Sequence, residues 1–255
     1  MQPATSPPPP RVRSTALPRW VLRAWLLSLA LLLPAPGTAT PPNVRGKITG
    51  HEKLVGDVYT EASKTGSHRW TWREPSPAVH PRYRALSPNP SRDICVAALT
   101  SGTASPPDQP ILMTLTGGRV VPTTIVVAPK TKLSFQNFDP FPHRLYIVGS
   151  KEFVAADMAA NARRDWSAPG PGRYEVRDEL FPSVRTYIVV DPQVVMVTYP
   201  GRDGSFGFSL SPGDYVLKAF FGGKQVGKPS SATAKERTTL DLKDPLNVGE
   251  GADGK

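Results

Sequence analysis

The sequence predicts an all-β protein, and three observations carry that reading. Thirty of the 255 residues are Pro, spread along the chain, and each interior Pro removes a helix donor and clashes with the preceding turn. Short runs rich in Val, Ile, Tyr and Phe recur between Gly, Pro and Asp, as in sandwiches and barrels. Beyond the first forty residues only 152–164, with its Ala, Met and Glu, reads as a helix. The length suits one large or two small domains. A hydrophobic content of 39% is too high for a wholly disordered chain. The single Cys, Cys95, excludes a disulfide scaffold and a cysteine-cluster zinc site.

Residues 1–39 carry Arg11, Arg13, Arg19 and Arg23 and no acidic residue. They lead into the ten-residue apolar run Ala24-Trp-Leu-Leu-Ser-Leu-Ala-Leu-Leu-Leu33. A membrane-spanning helix needs roughly 20 such residues. Gly37 and Ala39 suit a signal-peptidase site, so 1–39 is read as a signal peptide. The expected location is the periplasm or the outer envelope, with no transmembrane span in the mature chain. Four of the 31 Lys and Arg leave with the signal, so 27 remain against 21 Asp and Glu. With that mild excess and no recognition helix or RNA-binding motif, nucleic acid is not an expected partner.

The predicted strands, in order, are 44–48, 57–61, 94–99, 111–115, 124–128, 132–135, 144–148, 173–177, 184–190, 194–198, 205–210 and 214–221. A long loop, 63–92, interrupts them with five Pro, five Arg and the aromatics Trp70, Trp72 and Tyr83. Loops of that length are commonly functional or disordered. Trp70, Trp72 and Tyr83 beside Arg69, Arg73 and Arg82 form a candidate surface for an anionic glycan or a partner protein. The same residues also suit a solvated loop held on the domain by its Trp side chains. The tail 247–255 is Gly-rich and charged, and is expected to be disordered.

The most specific motif is Phe135-Gln-Asn137-Phe-Asp139-Pro-Phe-Pro-His143. It resembles the first copper-ligand segment of plastocyanin-like cupredoxins, where an Asn stands six residues before the first His ligand and Phe-Pro leads into it. The approach Val121-Pro-Thr-Thr-Ile-Val-Val-Ala-Pro-Lys-Thr-Lys-Leu-Ser-Phe135 is similar as well. The resemblance covers 111–192 and implies a Greek-key β-sandwich. A blue-copper centre takes two imidazoles, a thiolate and a weak axial Met. In Gly172-Arg-Tyr174-Glu-Val-Arg-Asp178-Glu-Leu-Phe181, Gly172 and Tyr174 match the family pattern. Asp178 stands at the Cys position and Phe181 at the second His position, so only His143 of the four ligands remains. His143 is then a relic hydrogen-bonded inside the domain, a metal ligand with Asp139 or Asp178, or part of a partner-binding face. An oxygen-rich site of that kind suits zinc or Cu(II).

The stretch Asp203-Gly204-Ser-Phe206-Gly-Phe208-Ser-Leu210-Ser-Pro212-Gly213-Asp-Tyr215-Val-Leu217 sets Phe206, Phe208 and Leu210 on one face beyond a tight turn. It resembles a carboxypeptidase-regulatory-like β-sandwich. The opening Val44-Arg-Gly-Lys-Ile-Thr-Gly50 looks like the first strand of such a module. The expected organisation is N-terminal strands in 44–110, a cupredoxin-like domain in 111–192 and a regulatory-like β module in 193–246. Together these make a cupredoxin-like sandwich with a small second sandwich.

No nucleophile elbow, phosphate loop or zinc-protease helix occurs, and His51, His68 and His80 lack metal-ligand spacing. Asp178 and Glu179 are adjacent on a strand and face opposite sides. The sequence therefore points to a non-catalytic envelope protein that binds a protein partner and needs no cofactor. The alternatives are a copper protein built on His143 with copper or zinc as cofactor, and a glycan-binding module.

Overall fold

A computed structural model of the chain describes residues 41–55 and 88–249. The signal segment, the strand at 57–61 and, in the long loop, Trp70, Trp72, Tyr83, Arg69, Arg73 and Arg82 lie outside the described residues. The described part is all-β, arranged as four four-stranded sheets.

Two of the sheets make one sandwich. The first sheet is ordered β4 (Val120–Val121), β3 (Ile111–Leu115), β6 (Lys132–Asn137), β8 (Arg163–Ser167). The second is ordered β5 (Thr124–Val127), β10 (Arg185–Val190), β9 (Gly172–Asp178), β7 (Leu145–Ile147). Alternate residues of each strand point inward, and Met113, Leu115, Phe135, Ile147, Val176 and Ile188 build the shared core.

The chain ends supply a second sandwich. Its sheets are β12 (Ser205–Phe208), β1 (Val44–Thr49), β15 (Leu240–Asp241), with β16 (Leu246–Asn247) also on β1, and β11 (Val194–Thr198), β2 (Ile94–Leu99), β13 (Gly213–Phe221), β14 (Lys224–Ala234). Val44, Ile48, Val96, Phe206, Phe208 and Leu217 form its core. Strand pairing persists to Asn247, and Val248 is fully buried with its N–H on the Thr49 carbonyl, so the Gly-rich tail is ordered at its start.

A third cluster joins the two. Cys95, Ala97 and Leu99, on the reverse face of β2, pack against Val126 and Ala128 at the end of the first sandwich. All six residues of β2 are therefore buried, which is why Ile-Cys-Val-Ala-Ala-Leu is an unbroken apolar run. Each of its larger side chains contributes roughly 1.5–3 kcal/mol by leaving water. Cys95 is a structural thiol, and burial pushes its pKa up to about 12.

A tyrosine corner recurs in both halves. The Tyr174 hydroxyl donates to the Gly170 carbonyl at 3.0 Å, and the Tyr215 hydroxyl donates to the Ser211 carbonyl at 3.0 Å. Each Tyr follows a Pro-Gly-x step into its strand, at 171–174 and 212–215.

The helix expected at 152–164 does not form. Phe153 and Met158 turn into the core, and 163–167 pairs with β6 instead. Arg164 fixes this course by donating to the carbonyls of Leu145 and Val154, with its guanidinium 4.1 Å from the Phe153 ring centroid. The α-helix among the described residues is α1 (Pro90–Asp93), capped by the Asn89 side chain on the Ser91 N–H. Strands β4, β8, β14, β15 and β16 add to those expected.

Candidate functional site

At one end of the first sandwich, His143 sits between β6 and β7, fully buried. It is pinned from its backbone, where its N–H donates to the Met158 carbonyl at 3.0 Å and Met158 returns the bond at 2.8 Å. Its ring packs between Phe141 and Phe181, at centroid distances of 5.2 and 5.0 Å.

Both ring nitrogens meet carboxylates. Nδ1 lies 2.6 Å from Asp178 Oδ2, and Nε2 lies 3.1 Å from Asp139 Oδ2. Both contacts are hydrogen bonds when the ring donates at both nitrogens as the imidazolium, or when it donates at one and accepts a carboxyl O–H at the other. Asp139 ends the turn after β6, and Asn137 sets that turn. The Asn137 side chain accepts from the Asp139 N–H at 2.9 Å and donates to the carbonyls of Phe141, Met158 and Ala159.

Each carboxylate is also held by backbone donors. Gly117 and Gly118 form the two-residue turn between β3 and β4, both with positive φ, and offer their N–H groups to Asp139 at 2.5 and 2.9 Å. Burial raises the Asp139 pKa, but these donors and His143 outweigh it, so the carboxyl sits below its ordinary value. Asp178 closes β9 and accepts from the N–H groups of Leu180 at 2.7 Å and Phe181 at 3.1 Å. The Asp139–His143–Asp178 bridge thus ties the turn of one sheet to the strand end of the other.

This geometry does not fit a type 1 copper centre. An ion bound by both Nδ1 and an Asp178 oxygen, at about 2.0–2.2 Å each and ~90° or more apart, needs those atoms separated by about 2.9 Å or more. They stand at 2.6 Å. Nε2 faces the other way and stands 3.1 Å from Asp139 Oδ2, so an ion there would have one imidazole and one carboxylate and lack the second imidazole and the thiolate of a type 1 site. Among the described residues no group of three His, Cys, Asp or Glu side chains is placed to hold a metal. Cys95 belongs to a different sheet and is buried against Val126. The sequence singled out Asp139 and Asp178 as alternatives; the structure brings both to His143 at once. Gly117 and Gly118 were not singled out, although Gly-Gly between two β runs was a visible turn signal.

Around the bridge, exposed apolar side chains stand beside the Arg144–Glu179 ion pair. Phe138 and Leu180 are exposed there, beside half-buried Phe141 and Phe181. His143 shows no accessible surface.

Fold and site together define an all-β protein of two joined sandwiches, closed at one end by an imidazole–carboxylate clasp. No family model and no curated protein matches the chain. Solved cupredoxin structures are similar to part of it. A reduced amicyanin variant is 17% identical over 37% of this chain and 99% of that one, with a TM-score of 0.31. Amicyanin from Paracoccus versutus is 11% identical over 38% of this chain and 97% of its own, with a TM-score of 0.31. The Cu-containing nitrite reductase from Thermus scotoductus SA-01 is 18% identical over 37% of this chain and 25% of that one, also with a TM-score of 0.31.

Proposed function

We propose that this is an exported, non-catalytic protein of a bacterial cell envelope, with a structural or protein-interaction role. In this reading the first sandwich is a cupredoxin-like domain whose metal-binding end has become a fastener. The second sandwich is a regulatory-like β module that packs on it and adds interaction surface. The observation that carries the reading is the closure of His143: its two nitrogens are both bonded to carboxylates and its surface is wholly buried. A ring so placed serves neither as an open metal ligand nor as a proton donor to substrate. Joining two sheets is the work left to it.

The N-terminal Arg-rich and apolar segment supports export, and the exposed apolar side chains around the bridge support contact with a partner. The test is to recover the protein from fractionated cells and measure its N-terminus and metal content. The reading expects a chain beginning near residue 40 in the envelope or periplasm, with far less than one copper or zinc per molecule. Retention in the cytoplasm with an intact N-terminus, or stoichiometric copper, would overturn it.

A further inference from the structure

The outer face of the sheet β5-β10-β9-β7 carries a row of Arg and Tyr side chains. Arg177 and Arg185 are direct cross-strand partners, and Tyr146 pairs with Arg177 on the other side. All three point away from the core, since their strand neighbours Leu145, Val176 and Thr186 are buried. Like charges directly opposite on a sheet are destabilising. One carboxylate, Glu175, answers them, 2.8 Å from Arg177 Nε. Its pKa lies below the ordinary value through that bond, against partial burial, and through the charges of Arg177, Arg185 and Arg173.

The next row holds Glu175 and Tyr187, which are also direct partners. Arg173 stacks on the Tyr187 ring at 4.8 Å and donates to the Gly222 carbonyl at 3.0 Å. The turn between β13 and β14 therefore forms a wall at one side of the face. Toward the other end, Arg144 and Glu179 neutralise each other at 2.8 Å. Arg185 is exposed, and its guanidinium makes no hydrogen bond or ion pair among the described residues. The shelf thus holds three guanidinium groups against one carboxylate, with Tyr146 beside Arg177 in the first row and Tyr187 in the next.

We propose that this shelf binds an anionic glycan bearing carboxylates. Adjacent guanidinium planes match carboxylates bidentately, and flat tyrosine rings on an open face suit the apolar faces of sugars. An acidic peptide is more readily taken by a strand edge or a groove than by the middle of a sheet face. The inference deepens the interaction reading above and rests on it for its biological role. The cell fractionation tests that reading, while the following experiment tests the shelf alone.

Binding of the full chain to polygalacturonate is measured beside neutral dextran and poly-L-glutamate, with Arg185→Glu, Arg185→Gln and Tyr146→Ala. Expected results are saturable, salt-sensitive binding to polygalacturonate and little to dextran. Arg185→Glu should lose at least tenfold in affinity while its Tm stays level or rises, because it faces Arg177. Arg185→Gln and Tyr146→Ala should each lose several-fold. Absent binding, equal affinity in Arg185→Glu, or poly-L-glutamate bound as tightly as polygalacturonate would overturn the proposal.

Discussion

His143 Nδ1 and Asp178 Oδ2 lie 2.6 Å apart, with both side chains fully buried. Two residues 35 positions apart are joined by that contact, and through Asp139 it reaches the turn of the opposite sheet.

Removing the ring should therefore be costly. His143→Ala leaves two largely buried carboxylates without their shared hydrogen-bond partner, and an unsatisfied buried polar group costs about 1–3 kcal/mol or more. Urea denaturation should show a lower midpoint with little change in slope. A loss under about 1 kcal/mol would mean the clasp does not hold the sandwich.

Stability should also fall in acid. Asp139 has a folded pKa depressed below its unfolded value, so its contribution is complete above about pH 4 and disappears as pH drops through the lower folded value. Asp93 is depressed as well: partial burial opposes the shift, but Arg92, the Asn89 N–H and Thr123 outweigh it. Urea midpoints between pH 2 and 7 should decline on the acid side, and Asp139→Asn should flatten that limb. An unchanged limb in the variant would remove Asp139 from this account.

Cys95 should be inert until the protein unfolds. Its thiol is buried between the sandwiches and pushed up to about 12, so native protein at pH 8 presents almost no thiolate. A thiol reagent should react only at the rate of unfolding and become fast in urea. Rapid labelling of the native protein would contradict the third core cluster.

The two tyrosine corners should contribute modestly and independently. Tyr174→Phe and Tyr215→Phe each remove one hydroxyl-to-carbonyl bond, worth about 0.5–1.5 kcal/mol. Thermal melts of the single and double variants should add. Strong non-additivity would show that the sandwiches are coupled more tightly than one shared cluster implies.

Much of this fold was legible because burial wrote it into the residues. The run at 94–99 reads as a strand since both its faces are covered. Strand β14 does not, because an edge strand of Lys, Gly, Pro, Ser and Ala carries little β propensity and takes its conformation from β13. Strand β8 is hidden for a similar reason: Trp166 is its one buried residue, among charged neighbours. The Ala-rich stretch before it favoured a helix locally, but the inward pull on Phe153 and Met158 prevailed. At the site, spacing singled out His143, Asp139 and Asp178. That both carboxylates reach one ring depends on where β9 ends beside β7, a relation between sheets that spacing does not encode.

That hydrogen bonds to Asp139 and Asp178, and not a copper ion, hold His143 is what the geometry supports. It is tested most directly by titrating the purified protein and His143→Ala with Cu(II), following visible absorption and Tm. Neither protein should show an intense blue band, and no Tm rise should be specific to the unmutated chain. An intense blue band, or a Tm that climbs with copper concentration as linkage requires and does so only when His143 is present, would contradict it.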